Sequence, residues 1–184
     1  KTSQGKNIYL KLDTIKFKIN IRELNLFLET EKPEIIYKEV SLPTQNIKVF
    51  IDFISLLKSD PKIEKIIINL EELDITQLNK LSTLIKPSNF KSLINNNIKK
   101  GKLISQIEIF LTEKEELKDF IARGAVKDFK VDLSKDLNLE NFNFKFIADR
   151  SDILIKNIFG DFENIEISEG DIKLNLENGV KFNN

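Results

Sequence analysis

Carboxylates, lysines, hydroxyls and two tyrosines are the side chains left to do chemistry in this 184-residue chain, which has no Cys and no His. That composition removes imidazole and thiolate zinc ligands, thiol nucleophiles, redox dithiols and every triad that needs an imidazole base. Glu71, Glu72 and Asp74 are spaced closely enough for a metal or an acid–base pair. They also lie just before a helical pattern, where acidic residues favour the helix dipole, and that ordinary role is the one we expect. Asp149 to Asp152 and Asp161-Phe162-Glu163 offer too few spaced oxygen ligands for a calcium loop. Glu113, Lys114, Glu115, Glu116, Lys118 and Asp119 read as a solvated loop or helical turn between strands. Lys91, Lys99, Lys100 and Lys102, with Phe90 nearby, are the densest basic set, which a lysine-rich helix end explains better than contact with phosphate head groups or RNA. An enzyme would need a lysine, Tyr9 or Tyr37 in a pocket that the sequence does not announce, so we expect no catalytic residue, no metal and no cofactor.

The charge balance points the same way. Twenty-nine basic residues meet 29 acidic ones, with arginine only at positions 22, 123 and 150, so no net field steers the chain toward nucleic acid. The longest aliphatic run is Ile66 to Ile68, far short of the roughly 20 residues of a membrane-spanning helix. The chain starts at Lys1 without Met or a charged-then-apolar leader, which we read as an internal segment of a longer protein. Its 26 Lys, 28 Ile and 19 Asn report A- and T-rich codons, not function.

The elements that must position these side chains are mostly strands. Ile8, Leu10 and Leu12 share one parity and Ile15, Phe17, Ile19 and Ile21 the other, which predicts a strand with a bulge or bend near Asp13-Thr14. Leu24, Leu26 and Leu28 alternate again. Ile35 to Leu42 does so more weakly between Pro33 and Pro43, which belong at edges or turns. A strand from Ile47 to Phe53 runs into a short helical turn at Ile54 to Lys58, and Ile63 to Leu70 forms the next strand. Leu78, Leu81, Leu84 and Ile85 then give a helix face, capped by Asp74 or Thr76 and ended by Pro87. Ser88, Phe90, Leu93, Ile94 and Ile98 suggest a second helix that stops at Lys99-Lys100-Gly101. Everything beyond reads as an antiparallel meander: Leu103 to Leu111, Ala125 to Leu133, Phe142 to Phe146, Ile153 to Phe162, Ile165 to Ile167 and Ile172 to Leu176. The run Leu137-Asn138-Leu139-Glu140-Asn141 recurs from Leu174 to Asn178, a possible repeat of a few strands.

Roughly ten strands and two short helices leave more sheet than the helices cover. The uncovered apolar face closes on itself, packs on another sheet, or carries an apolar ligand. Ile107 and Ile109, with Phe142, Phe144 and Phe146 on one strand face, are core residues in the first two cases and groove lining in the third. Moving a methylene out of water is worth roughly 0.8 kcal/mol, so two acyl chains of about 15 carbons represent on the order of 20 kcal/mol. A closed β-sandwich that binds other proteins by strand addition is the main rival, and a hydrolytic β domain using carboxylates is a second.

From residue 47 to residue 177 the order of features resembles the AsmA-like family of bacterial envelope proteins, which includes the TamB and YhdP relatives. The stretches that carry the resemblance are IKVFIDFISLLKSDPKIEKIIINLEEL (47 to 73), ITQLNKLSTLIKPSNFKSLINNNIKKGKL (75 to 103), GAVKDFKVDL (124 to 133), LENFNFKFIAD (139 to 149) and IFGDFENIEISEGDIKL (158 to 174). The likeness is one of rhythm and loose motif. It implies a mainly β fold, a curved antiparallel sheet forming an open groove or half-barrel, with a short helical insertion near 75 to 100. It also implies a periplasmic protein, anchored in the inner membrane through a segment outside these residues, that shields phospholipid acyl chains on their way to the outer membrane. Ile107, Ile109, Phe142, Phe144 and Phe146 would line the groove, and other envelope proteins would be its partners. One segment is expected to span 1 to 184: N-terminal strands to 70, a helical link at 75 to 100, and a C-terminal meander from 101. At ~4.8 Å per strand, ten strands advance only about 48 Å, so we expect a slice of a longer bridge.

Overall fold

The computed structural model describes residues 2–5, 8–20, 25–37, 40–75, 77, 97–134, 137–162, 165–175 and 179–182. The expected alternation does produce an antiparallel sheet. Its strands are β1 (Thr2–Gly5), β2 (Ile8–Lys11), β3 (Ile15–Asn20), β4 (Asn25–Glu31), β5 (Glu34–Tyr37), β6 (Val40–Ile51), β7 (Ile63–Leu70), β8 (Leu73–Asp74), β9 (Ile98–Leu111), β10 (Leu117–Ser134), β11 (Leu137–Ala148), β12 (Asp152–Phe162), β13 (Ile165–Ile167), β14 (Ile172–Asn175) and β15 (Gly179–Phe182). Among the described residues, the hydrogen-bonded path runs β1-β2-β5-β6-β7-β9-β10-β11-β12-β14-β15 and does not return to its start. The fold is therefore mainly β, built as an open sheet and not as a closed barrel. Two compact units make it up: residues 1–71 with 106–122, and residues 72–105 with 123–184. The long strands β9 and β10 each contribute to both.

In the first unit the sheet forks. One edge of β6 pairs with β5 over Val40–Pro43 and with β4 over Asn46–Ile51, while its other edge pairs with β7. Pro43 thus sits inside a strand and not at an edge or turn, because the ladder is already irregular there. The β6–β7 register shifts between Thr44 and Asn46, and the Pro43 carbonyl accepts from the Glu71 amide at 2.9 Å. The parity slip at Asp13-Thr14 is likewise no bulge. It separates β2, which pairs with β5, from β3, which pairs with β4. The single complete helix described, α1 (Phe53–Leu57), starts one residue before the expected turn and takes Phe53 out of the strand, because Asp52 caps it. The Asp52 carboxylate accepts from the Ser55 amide at 2.6 Å, and the Ser55 hydroxyl donates back to the Asp52 carbonyl at 2.8 Å.

In the second unit Leu73, Ile75, Val126, Val131, Phe142 and Ile158 form the buried core. Left-handed residues recur on successive strands at Asp128, Asn141 and Asn157, with φ of 50°, 55° and 53°. Asp and Asn tolerate that conformation best among residues with a Cβ. Asn141 and Asn157 fall at the two register shifts between β11 and β12, so each is the extra residue of a bulge. Asn143 ties the pattern together, accepting from the Asp128 amide at 3.2 Å and donating to the Asn141 carbonyl at 2.7 Å. The sheet forks again at β12, whose one edge serves β14 over Asp152–Ile155 and β13 over Gly160–Phe162.

Several boundaries differ from expectation. Ile98, Lys99, Lys100 and Gly101 open β9 and do not end a helix. Lys99 lies 3.6 Å from Asp132, and a Cβ on Gly101 would stand 3.0 Å from Ile75 and 3.2 Å from Phe129. Ile75, Gln77 and Asn97 are helical. The helix faces expected between 78 and 96 lie outside the described residues, as do residues 176–178 of the second copy of the Leu-Asn-Leu-Glu-Asn run. The charged cluster after Leu111 is a turn only as far as Glu116, tied by the Thr112 hydroxyl, which accepts from the Lys114 and Glu116 amides at 3.3 and 3.2 Å. Lys118 and Asp119 belong to β10.

Close backbone approach makes one glycine a test of this packing. A Cβ on Gly124 would lie 2.1 Å from the Ile104 carbonyl oxygen and 2.9 Å from the Phe146 ring. Gly124→Ala is expected to destabilise the chain by about 1–3 kcal/mol through overpacking, read as a lowered thermal midpoint. An unchanged midpoint would show that the two strands can separate without cost.

Candidate functional site

Cross-strand register decides which side chains share a face, since directly paired residues of antiparallel strands project to the same side. In the first unit, Ile15, Thr30, Ile47, Ile68 and Ile107 align as one row across β3, β4, β6, β7 and β9. Two residues along, Phe17, Leu28, Val49, Ile66 and Ile109 form a second row. Ile19, Leu26 and Ile51 begin a third. Thirteen positions on this face therefore contain one polar side chain, the Thr30 hydroxyl. Leu26 and Ile47 are buried, Leu28, Val49, Ile66, Ile68, Ile107 and Ile109 are half-buried, and Ile15, Phe17 and Ile19 are 44%, 57% and 61% exposed.

The opposite face of the same strands is mixed, with four lysines, two glutamates, three phenylalanines and one isoleucine at ten positions. Its rows are Lys16, Glu29, Lys48, Ile67, Glu108 and Lys18, Phe27, Phe50, Lys65, Phe110. Buried Glu29 pairs with Lys18 and lies 3.7 Å from Lys48. Phe27 and Phe50 stack at 5.1 Å, with the Lys48 ammonium 5.6 Å from the Phe27 ring and the Lys65 ammonium 4.6 and 6.0 Å from the rings of Phe50 and Phe110. Asn46, Asn69 and Gln106 form an amide ladder, Gln106 donating to Asn69 at 2.8 Å and Asn69 to Asn46 at 2.5 Å. Lys16 donates to Glu31 at 2.8 Å. That hydrogen bond, reinforced by the lysine charge, holds the Glu31 carboxyl below the ordinary range and raises Lys16.

The candidate groove residues divide between the units. Ile107 and Ile109 occupy the two long apolar rows of the first. Phe142, Phe144 and Phe146 lie in the second, on alternate residues of β11. Buried Phe142 covers Gly160, where a Cβ would meet its ring at 2.7 Å. Phe144 meets Phe129 edge-on at 5.7 Å, and Phe146 packs on Gly124. Phe146 also aligns with Ile155 and Ile172. Sequence reasoning missed Phe17, Leu28, Val49 and Ile66 as partners of Ile109, because parity within a strand carries no register between strands.

Three of the tempting acids have partners, while Glu71 is exposed. Glu72 pairs with Lys102 at 2.7 Å, which raises that lysine, and Asp74 ends β8 opposite Lys102. Asp149 accepts from the Asp152 and Ser151 amides, both at 2.8 Å, and its carboxyl is thereby lowered. No group of three or more carboxylates that could hold a metal occurs among the described residues, and no helix among them is long and apolar enough to cross a membrane. Among the described residues, the second unit carries an open depression of about 480 Å³, lined by Asn141, Asn143, Phe159, Asp161 and Glu166 among others. The chain matches no protein-family model, no curated protein and no solved structure.

Two expectations follow from the two faces. The Thr30 hydroxyl is buried without a hydrogen-bond partner among the described residues. Isosteric Thr30→Val should therefore stabilise the chain by about 1 kcal/mol, a rise of about 2–4 °C in thermal midpoint; a fall would reveal a partner for the hydroxyl. On the polar face, an NMR titration should place the Glu31 midpoint below that of an ordinary glutamate, and Lys16→Gln should move it up. With its folded value depressed, Glu31 adds stability above its unfolded value and loses it as pH falls through the folded one.

Proposed function

We propose that this chain is part of an AsmA-like envelope protein that holds phospholipid acyl chains against an apolar sheet face, without any covalent step. The observation that carries the reading is the pair of five-strand rows through Ile107 and Ile109. They are apolar except at Thr30 and remain half-buried or exposed along most of their length. A monomeric sheet with a plain core buries such rows under a second layer. An acyl chain laid across them removes methylenes from water at roughly 0.8 kcal/mol each. The order of motifs between residues 47 and 177 supports the same reading, and the phenylalanines of β11 are candidates for a similar role in the second unit.

In this proposal the protein is not an enzyme, its partners are phospholipids and other envelope proteins, and it works in the periplasm. There it contributes to phospholipid passage between the inner and outer membranes and to outer-membrane homeostasis. The opposite face, where lysines hold Glu29 and Glu31 and Lys65 lies over two aromatic rings, is the side turned to water.

Purified chain, incubated with phosphatidylethanolamine–phosphatidylglycerol vesicles and re-isolated, is expected to carry phospholipid detectable by mass spectrometry at near-stoichiometric amounts. Ile107→Asp, which sets a charge in the first row, should abolish that retention, while Glu108→Lys on the opposite face should leave it intact, with circular dichroism confirming both folds. A chain that emerges lipid-free from both purification and vesicle incubation would sink the acyl-chain reading in favour of a protein-binding module.

A further inference from the structure

Strand β3 ends one branch of the first unit. Among the described residues it pairs with β4 and with no other strand. An edge strand presents a row of main-chain donors and acceptors that a further strand can take up, and natural edges are blunted by proline, bulges, short length or lysine. β3 has six residues, contains no proline, and keeps an unbroken register with β4 from Ile15 to Asn20. Its one such device is Lys16 and Lys18, and both are engaged by Glu31 and Glu29 on β4. On the other side, Ile15, Phe17 and Ile19 are the most exposed members of the apolar rows.

The charge pattern says what fits. Across β6, β4 and β3 the row Lys48, Glu29, Lys16 alternates in sign, and the Lys16 ammonium that donates to Glu31 has three donors in all. The next residue in the row is favoured when acidic. A second copy of β3 is disfavoured: antiparallel self-pairing over five residues of β3 that keeps Ile and Phe on the apolar face sets Lys16 opposite Lys18, or Lys18 opposite itself, and like charges directly opposite destabilise a pair.

We infer that the β3 edge is a docking site for a strand of another polypeptide in which apolar residues alternate with acidic ones. The incoming strand hydrogen-bonds to the Ile15–Ile19 backbone, extends the apolar rows with its own aliphatic side chains, and answers Lys16 and Lys18 with carboxylates. The inference uses the edge of the sheet and stands whether or not the face binds lipid.

A fluorescent heptapeptide alternating valine or isoleucine with glutamate tests it against the intact chain by anisotropy and amide hydrogen exchange. The glutamate peptide should bind about tenfold more tightly than the same peptide with lysines, as expected from two cross-strand charge pairs, and should add protection within residues 15–20. Methylating alternate backbone nitrogens of the peptide should abolish binding in one of the two frames, and the double variant K16Q/K18Q should erase the charge preference while the peptide still binds. Equal affinity for both peptides, binding that survives methylation in both frames, protection confined to other strands, or no binding at all would each overturn the inference. So would protection of β3 that grows with protein concentration in the absence of peptide, which would assign the edge to a second copy.

Discussion

Register between neighbouring strands is what everything else in the first unit depends on. A slip of one residue between β4 and β6 would carry Lys48 to the level of Leu28 or Thr30, and every side chain of one strand would change sides relative to the other. The apolar rows and the paired charges are two results of one alignment. The Glu29–Lys48 contact and the Phe27–Phe50 stack resist that slip from the polar side, while the Lys18–Glu29 pair and the amide ladder from Asn46 to Gln106 resist its counterparts at β3–β4 and along β6, β7 and β9. On the apolar side, the Ile, Leu and Val rows oppose the one-residue slip too but give little resistance to a slip of two, which only exchanges one aliphatic side chain for another.

That division explains a pattern otherwise hard to place. The specific, directional contacts of the first unit lie on its polar face, while the face best suited to an apolar ligand is chemically monotonous. A surface that is uniform along its length favours no position for an acyl chain, which suits a ligand that slides more than one that docks. The polar face does the aligning, and leaves the other free of hydrogen-bonding groups except at Thr30.

Much of this was legible in the sequence. Period-two alternation locates most strands after Gly101 and the pair on either side of α1, and the excess of sheet over helix leaves an apolar face whose cover the sequence does not decide. Pairing was not legible. Nothing local says that β2 seeks β5 while β3 seeks β4, since both read as apolar alternation separated by Asp13-Thr14. Pro43 inside β6 ran against the usual rule because a backbone irregularity there already released the ladder. Lys99-Lys100-Gly101 mimicked a helix end, yet Gly101 serves a tight approach of Ile75 and Phe129 to the strand backbone. Parity alone puts Ile107 and Ile109 on one face. Their row partners on β3, β4, β6 and β7 appear only once register is known, as do the bulges at Asn141 and Asn157, which look like any other asparagine in so Asn-rich a chain.

The fork at β6 has a meaning for how such a chain can evolve. Because one edge of β6 is shared between β5 and β4, the sheet has two separate tips in the first unit, β1 and β3, joined to a common trunk of β6, β7 and β9. A duplication or deletion at either tip changes the breadth of that branch without shifting the trunk's register. Related chains can then differ in strand number while keeping the same paired rows at their centre.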